Sequence, residues 1–251
     1  MKKLMKIMLL GLAVIVLSFI TVKPNRAGAA AKSTDTDIFE YDGAVYKVTS
    51  KKSHTAMLMK SRPLTDYDGK CYEQESLVYK DDEEYTVTSI GYKAFSEDGI
   101  KCSVQVKLPS TIKEIKSECM GVNIVSLDMS ETAIKTVPAY VFVTYSGIKD
   151  ITPAVSEVIL PKNCKTIEGY AFYKCNNIKA MVIPEKVKKI GTYIIPKSCI
   201  SLTFEGKVPK GVKNQPLTGV GINVKSEYYV EVLELLVKKV SLGQCVINEI
   251  K

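Results

Sequence analysis

Few side chains in this chain could do covalent chemistry. Its 251 residues hold one histidine, His54, no tryptophan and seven cysteines. One histidine cannot build a His-rich zinc site. It could serve a triad only beside a placed nucleophile, and no nucleophile elbow or phosphate-cradling glycine loop occurs. His54 itself sits in the polar stretch Lys51-Lys52-Ser53-His54-Thr55, which predicts a surface residue. The run Asp81-Asp82-Glu83-Glu84 has the carboxylates for calcium but not the alternating spacing or the glycine of a calcium loop, so a solvated hairpin tip is expected. The cysteines lack a C-x-x-C pair, which argues against a redox or structural zinc site. No catalytic residue, cofactor or metal is therefore assigned.

Charge excludes a further class. The formal charge is +8, but Lys2, Lys3, Lys6, Lys23 and Arg26 stand in the first 29 residues with no acid among them, and the rest holds 30 bases against 27 acids. That near balance gives no whole-chain footprint for nucleic acid. The same first segment has three lysines, an apolar run from Ile7 to Val22 and the small-residue stretch Ala27-Gly28-Ala29-Ala30-Ala31. Charge, apolar core and an A-x-A site predict a secretory signal over 1–29, cleaved after Ala29; the alternative is a retained anchor. No stable membrane insertion is expected after cleavage.

The elements that would position any site come from a repeat. The phrases Val106-x-Leu108-Pro109, Leu127-x-Met129, Val158-x-Leu160-Pro161, Met181-x-Ile183-Pro184 and Leu202-x-Phe204 fall in one frame, with last anchors 21, 31, 23 and 21 residues apart. The long interval holds extra residues around Tyr145-Ser146-Gly147. Alternation predicts a short strand with one buried face, and proline, which cannot donate to a ladder, ends it. A period near 20–25 residues with an L-x-x-L-x-L core predicts a leucine-rich-repeat solenoid with a parallel sheet on one face. Cys119, Cys164, Cys175 and Cys199 fall in four different columns of that stack and are expected as buried thiols; a pair among Cys71, Cys102 and Cys245 remains open.

Tyr85-Thr86-Val87-Thr88-Ser89-Ile90-Gly91-Tyr92-Lys93-Ala94-Phe95 and Ile167-Glu168-Gly169-Tyr170-Ala171-Phe172-Tyr173-Lys174-Cys175-Asn176-Asn177-Ile178 resemble the BspA-like (Treponema-type) class of bacterial leucine-rich repeats over roughly residues 75–210. The copies with Cys119-Met120 and Val141-Phe142 depart from its Ala-Phe pair. The resemblance implies a secreted or surface-exposed protein that binds host or matrix proteins, often in adhesion, without catalysis. It supplies no ligand-binding residues.

The remaining chain predicts ends for the stack. Ile38 to Val48 alternates around Asp42-Gly43, a hairpin signal, and a second hairpin joins Leu77-Val78-Tyr79 to Tyr85-Thr86-Val87. Ser226 can start a helix whose apolar face holds Tyr229, Val232, Leu233, Leu236 and Val240, with Lys238-Lys239 at its end and Gly243 as the stop. The expected division is a signal at 1–29, an N-terminal β cap at 30–84, repeats at 85–210 and a helical C-terminal cap at 211–251. The expected function is non-catalytic binding of an extracellular or host protein by a secreted or surface monomer. The alternatives are an accessory domain of an extracellular enzyme and a structural envelope protein.

Within that frame the outward residues form two rows. One reads Lys107, Asp128, Ile159, Val182 and Thr203; the other reads Gln105, Ser126, Glu157, Ala180 and Ser201. Ile159 and Val182 are apolar where solvent is expected. Placed side by side at a strand spacing of about 5 Å, and rimmed by Glu157, Asp128 and Lys107, they predict a protein-binding hot spot.

Overall fold

The computed structural model describes residues 36–96, 102–142, 152–237 and 245–250. The signal segment, the extra residues at Tyr145-Ser146-Gly147, and Lys238-Lys239, Val240 and Gly243 lie outside them.

The chain begins with β1 (Ile38–Tyr41) and β2 (Ala44–Ser50), antiparallel, with Tyr41 opposite Ala44. Asp42 and Gly43 between them have φ of 48° and 75°. Two left-handed residues make the turn whose twist matches a hairpin. β3 (Thr55–Lys60) returns antiparallel to β2, and His54, in the intervening turn, is exposed. β4 (Cys71–Glu73) is followed by the hairpin of β5 (Leu77–Lys80) and β6 (Glu83–Ile90). Lys80 faces Glu83 there, so Asp81 and Asp82 alone form the tip, at φ of 51° and 64°. Alternation buries Tyr46, Val48, Val78, Tyr85 and Val87.

The repeats then supply a longer and a two-residue strand each, except the last, which supplies one. In order they are β7 (Val104–Lys107), β8 (Glu114–Ile115), β9 (Ile124–Asp128), β10 (Thr136–Val137), β11 (Glu157–Ile159), β12 (Thr166–Ile167), β13 (Ala180–Ile183), β14 (Lys189–Ile190) and β15 (Ser201–Phe204). The longer strands stack in parallel on one side and β10-β12-β14 form a second parallel sheet. Successive repeats are thus rungs one strand spacing apart. Their inward columns are continuous: Leu108, Met129, Leu160, Ile183 and Phe204 are all buried, as are Phe95, Met120, Phe142, Phe172 and Ile195. Each such side chain contributes about 1.5–3 kcal/mol on burial, and only against its neighbouring rungs. β4 pairs with β7 through Tyr72 and Val106, so the longer-strand row starts at Cys71.

One backbone feature repeats with the rungs. Lys93, Glu118, Tyr140, Tyr170 and Tyr193 have φ of 54°, 52°, 52°, 61° and 51°. A left-handed residue turns each rung from its short strand into the inward pair that follows. The conformation costs a non-glycine residue about 1–2 kcal/mol. Hydrogen bonds along the stack offset it: the N–H groups of Lys93 and Tyr140 donate to the carbonyls of Glu118 and Tyr170 at 3.0 and 3.2 Å.

At the other end β15 is followed in parallel by β16 (Gly221–Lys225), and helix α1 (Ser226–Val237) leads to β17 (Val246–Ile250), parallel to β16. Parallel neighbours need a crossover, and α1 is that crossover. The expectation of a helix laid over the end of the last turn is corrected in this respect: β17 extends the sheet beyond it. Val232 and Leu236 are buried, while Tyr229 and Leu233 are half-buried.

A second correction concerns the row of longer strands. It is two four-stranded sheets, β4-β7-β9-β11 and β13-β15-β16-β17, not one. Ile159 pairs with Asp128, and Val182 with Thr203, but β11 does not pair with β13. Ile159 and Val182 are therefore not ladder neighbours. Repeat length does not account for the break: the 31-residue interval separates β9 from β11, which pair, and a 23-residue interval separates β11 from β13.

Candidate functional site

A groove lies where the two sheets break. Leu108 N–H donates to Asp128 C=O at 3.0 Å, Met129 N–H to Ile159 C=O at 2.9 Å, and Glu205 N–H to Ile183 C=O at 3.1 Å. Among the described residues no backbone hydrogen bond makes the corresponding link from β11 to β13. Cα atoms of the two strands still approach within 8 Å. That leaves no room for an inserted strand, which needs about twice the 4.8 Å ladder spacing. The space suits side chains.

The groove measures about 460 Å³ and is lined by Val158, Ile159, Leu160, Ala180, Val182 and Pro184, with Glu157, Lys162, Lys179 and Glu205 at its rim. Ile159 is 41% exposed and Val182 46%. Three of the six residues expected at a site thus line one feature: Glu157, Ile159 and Val182. Asp128 lies beside Ile159 in register, with its carboxylate accepting from the Ser130 N–H at 2.8 Å. Thr203 is one strand beyond Val182, and its hydroxyl accepts from the Asn223 amide at 3.2 Å. Lys107 is farther away on β7, 3.8 Å from Glu73. Sequence reasoning missed Lys162, Lys179, Glu205, Leu160 and Pro184. No local signal marks them, since the 31-residue interval falls between β9 and β11, which stay paired, and the opening comes one repeat later.

Rim charge is mixed. Lys162 Nζ lies 2.7 Å from Glu131 Oε1. Ser126 donates its hydroxyl to Glu157 Oε2 at 3.0 Å. These contacts fix the rim and leave the apolar floor as the feature a ligand would meet.

The nucleophile inventory behaves as small apolar residues. Cys119, Cys164, Cys175 and Cys199 are buried free thiols and Cys71 is an exposed one. Burial pushes the Cys175 thiol up to about 12 and raises Cys119, Cys164 and Cys199 as well. A thiol so raised holds no thiolate near neutrality. Among the described residues no group of three His, Cys, Asp or Glu side chains could hold a metal.

A family model described as a BspA type leucine-rich repeat region matches residues 68–203 in six copies. Among solved structures, a leucine-rich repeat protein from Bacteroides ovatus is 22% identical with a TM-score of 0.53, over 74% of this chain and 49% of that one. The present chain thus spans about half the length of that protein, and the likeness is one of fold. A leucine-rich cell surface protein from Faecalibacterium prausnitzii is 14% identical (TM-score 0.34, 75% and 70% covered). The T. pallidum leucine-rich repeat protein is 16% identical (TM-score 0.37, 77% and 71% covered). No curated protein matches.

Proposed function

Because that match takes in more than half of its length, this chain belongs to the BspA-type leucine-rich-repeat family, and we propose that it is a secreted or cell-surface protein that binds an extracellular protein through the groove between β11 and β13. The leader is removed after Ala29. The repeats form a solenoid, with the N-terminal hairpins at one end and α1 together with β17 closing the other. Binding is non-catalytic.

The observation that carries the proposal is the exposed pair Ile159 and Val182 on the two walls of one open rung. The fitting occupant is an apolar side chain of a partner protein, flanked by polar groups that meet Lys162 and Lys179 on one hand and Glu157 and Glu205 on the other. Covering what remains exposed of the two residues is worth about 1 kcal/mol each. Together that is roughly 30-fold in affinity. Among the described residues no helix is long and apolar enough to cross a membrane.

The test uses the double variant Ile159→Glu with Val182→Lys against immobilised extracellular-matrix proteins and host-cell surfaces. Binding by the parent and its loss in the variant, with an unchanged melt, support the proposal. Equal binding by both refutes it.

A further inference from the structure

The other strand face carries a feature that whole-chain charge conceals. Lys113, Lys135, Lys165 and Lys188 hold the same position in four successive repeats, each beside a two-residue strand. Stacking places the last three on consecutive rungs: Lys165 N–H donates to Lys135 C=O at 2.8 Å and Lys188 N–H to Lys165 C=O at 2.9 Å. Lys210 N–H continues to Lys188 C=O at 3.0 Å, and Lys189 pairs with Lys210. All six lysines are exposed. Some other rung lysines are paired, as Lys162 with Glu131, Lys107 with Glu73 and Lys116 with Glu114. Among the described residues no ion pair involves any of the six. Like charges opposite one another on neighbouring strands destabilise a sheet, so the fold gains nothing from this row.

We propose that this row binds a linear sulfated polysaccharide. Cations recurring at about the 4.8 Å strand spacing match an extended chain of closely spaced anions, whose binding is driven by release of counterions. A second column on the same rungs decides which polyanion fits. Tyr140, Tyr170 and Tyr193 stand five residues beyond Lys135, Lys165 and Lys188. Their rings stack on one another, at 5.7 Å and 4° for the first pair and 5.5 Å and 22° for the second. A nucleobase inserted between two rings needs about twice the 3.4 Å stacking repeat, so the ladder offers no platform of the kind single strands use. The three hydroxyls make no hydrogen bond within the described residues. They are donors suited to sulfate and sugar oxygens. The surface is separate from the groove, and neither proposal depends on the other.

The test measures binding of the mature chain to heparin over a range of salt. Each lysine facing an anionic surface is worth about fivefold, so Lys135→Glu, Lys165→Glu and Lys188→Glu together cost on the order of 100-fold or more. The charge-matched control Lys52→Glu, Lys60→Glu and Lys197→Glu changes affinity little, and both variants keep the parent's melt. If the row variant melts lower, the corresponding Lys→Gln triple carries the test with the same ordering expected. Equal losses in row and control, no binding of heparin by the parent at low salt, or equally tight binding of a single-stranded oligonucleotide overturns the proposal.

Discussion

Gly191→Ala is expected to be severely destabilising although it adds one methyl group. A Cβ at Gly191 would fall 2.1 Å from the Gly169 nitrogen, 2.5 Å from Gly169 Cα and 2.8 Å from the Glu168 carbonyl carbon. All three are backbone atoms, so no side chain can swing aside. The rungs are also pinned there, since Gly191 N–H donates to Ile167 C=O at 2.8 Å. Forcing them apart costs about 1–3 kcal/mol as overpacking. The strained or lost hydrogen bond adds about 1 kcal/mol. Reduced freedom of the unfolded chain returns only about 0.4–1 kcal/mol. The net is a loss of about 2–3 kcal/mol, read as a lower urea midpoint. Gly221→Ala is the control: its added Cβ would lie 3.5 Å from the nearest atom, an ordinary contact, and its midpoint should hold or rise slightly. A Gly191→Ala midpoint equal to the parent's would show that these two glycines do not face each other and that the rung register is wrong.

Gln215 is buried and works as a surrogate backbone: its Oε1 accepts from Ile194 N–H at 2.9 Å and Ile195 N–H at 3.3 Å, and its Nε2 donates to Gly191 C=O. Gln215→Leu should cost about 2–4 kcal/mol in denaturant unfolding, from two stranded donors and one stranded acceptor; a loss below 1 kcal/mol would show that water serves them equally well. With its native thiol raised from 9.0 to about 12, Cys175 keeps its proton in the folded state where the unfolded chain has released it. Stability should therefore fall as pH rises from about 9 towards 12, and Cys175→Ala should flatten that part of the profile. Thiol counting should find Cys71 reactive in the native protein and Cys119 and Cys175 reactive only after unfolding; early labelling of Cys175 would contradict its burial.

What the sequence reveals here is what is local. The period-2 alternation of Val104, Val106 and Leu108, the prolines after the strands and the Asp42-Gly43 pair each act through their own few residues, and their elements stand where expected. The opening between β11 and β13 is not local. It depends on which strands pair once the rungs are stacked, so Ile159 and Val182 are legible as outward and apolar but not as the two walls of a groove. The left-handed column is hidden because its residues are Lys, Glu and Tyr rather than glycine. The lysine row is hidden because its charge is cancelled by acids elsewhere in the chain and emerges only when the rungs are stacked. The helix pattern over Tyr229 to Leu236 is visible, but its role as a crossover requires β17, whose Val246-Ile247-Asn248-Glu249-Ile250 carries no clear alternation.

The central claim is that a partner protein seats a side chain between Ile159 and Val182. A photo-crosslinking amino acid placed at Val182, on the wall of the groove, tests it most directly, with the same group at Thr166 on the opposite sheet as reference. In the presence of a bound matrix or host-cell protein, position 182 should yield one dominant protein adduct that the change Ile159→Glu removes, and position 166 should yield none of it. An adduct formed equally at both positions, or one at position 182 that persists with Ile159→Glu, would place binding elsewhere and contradict the account.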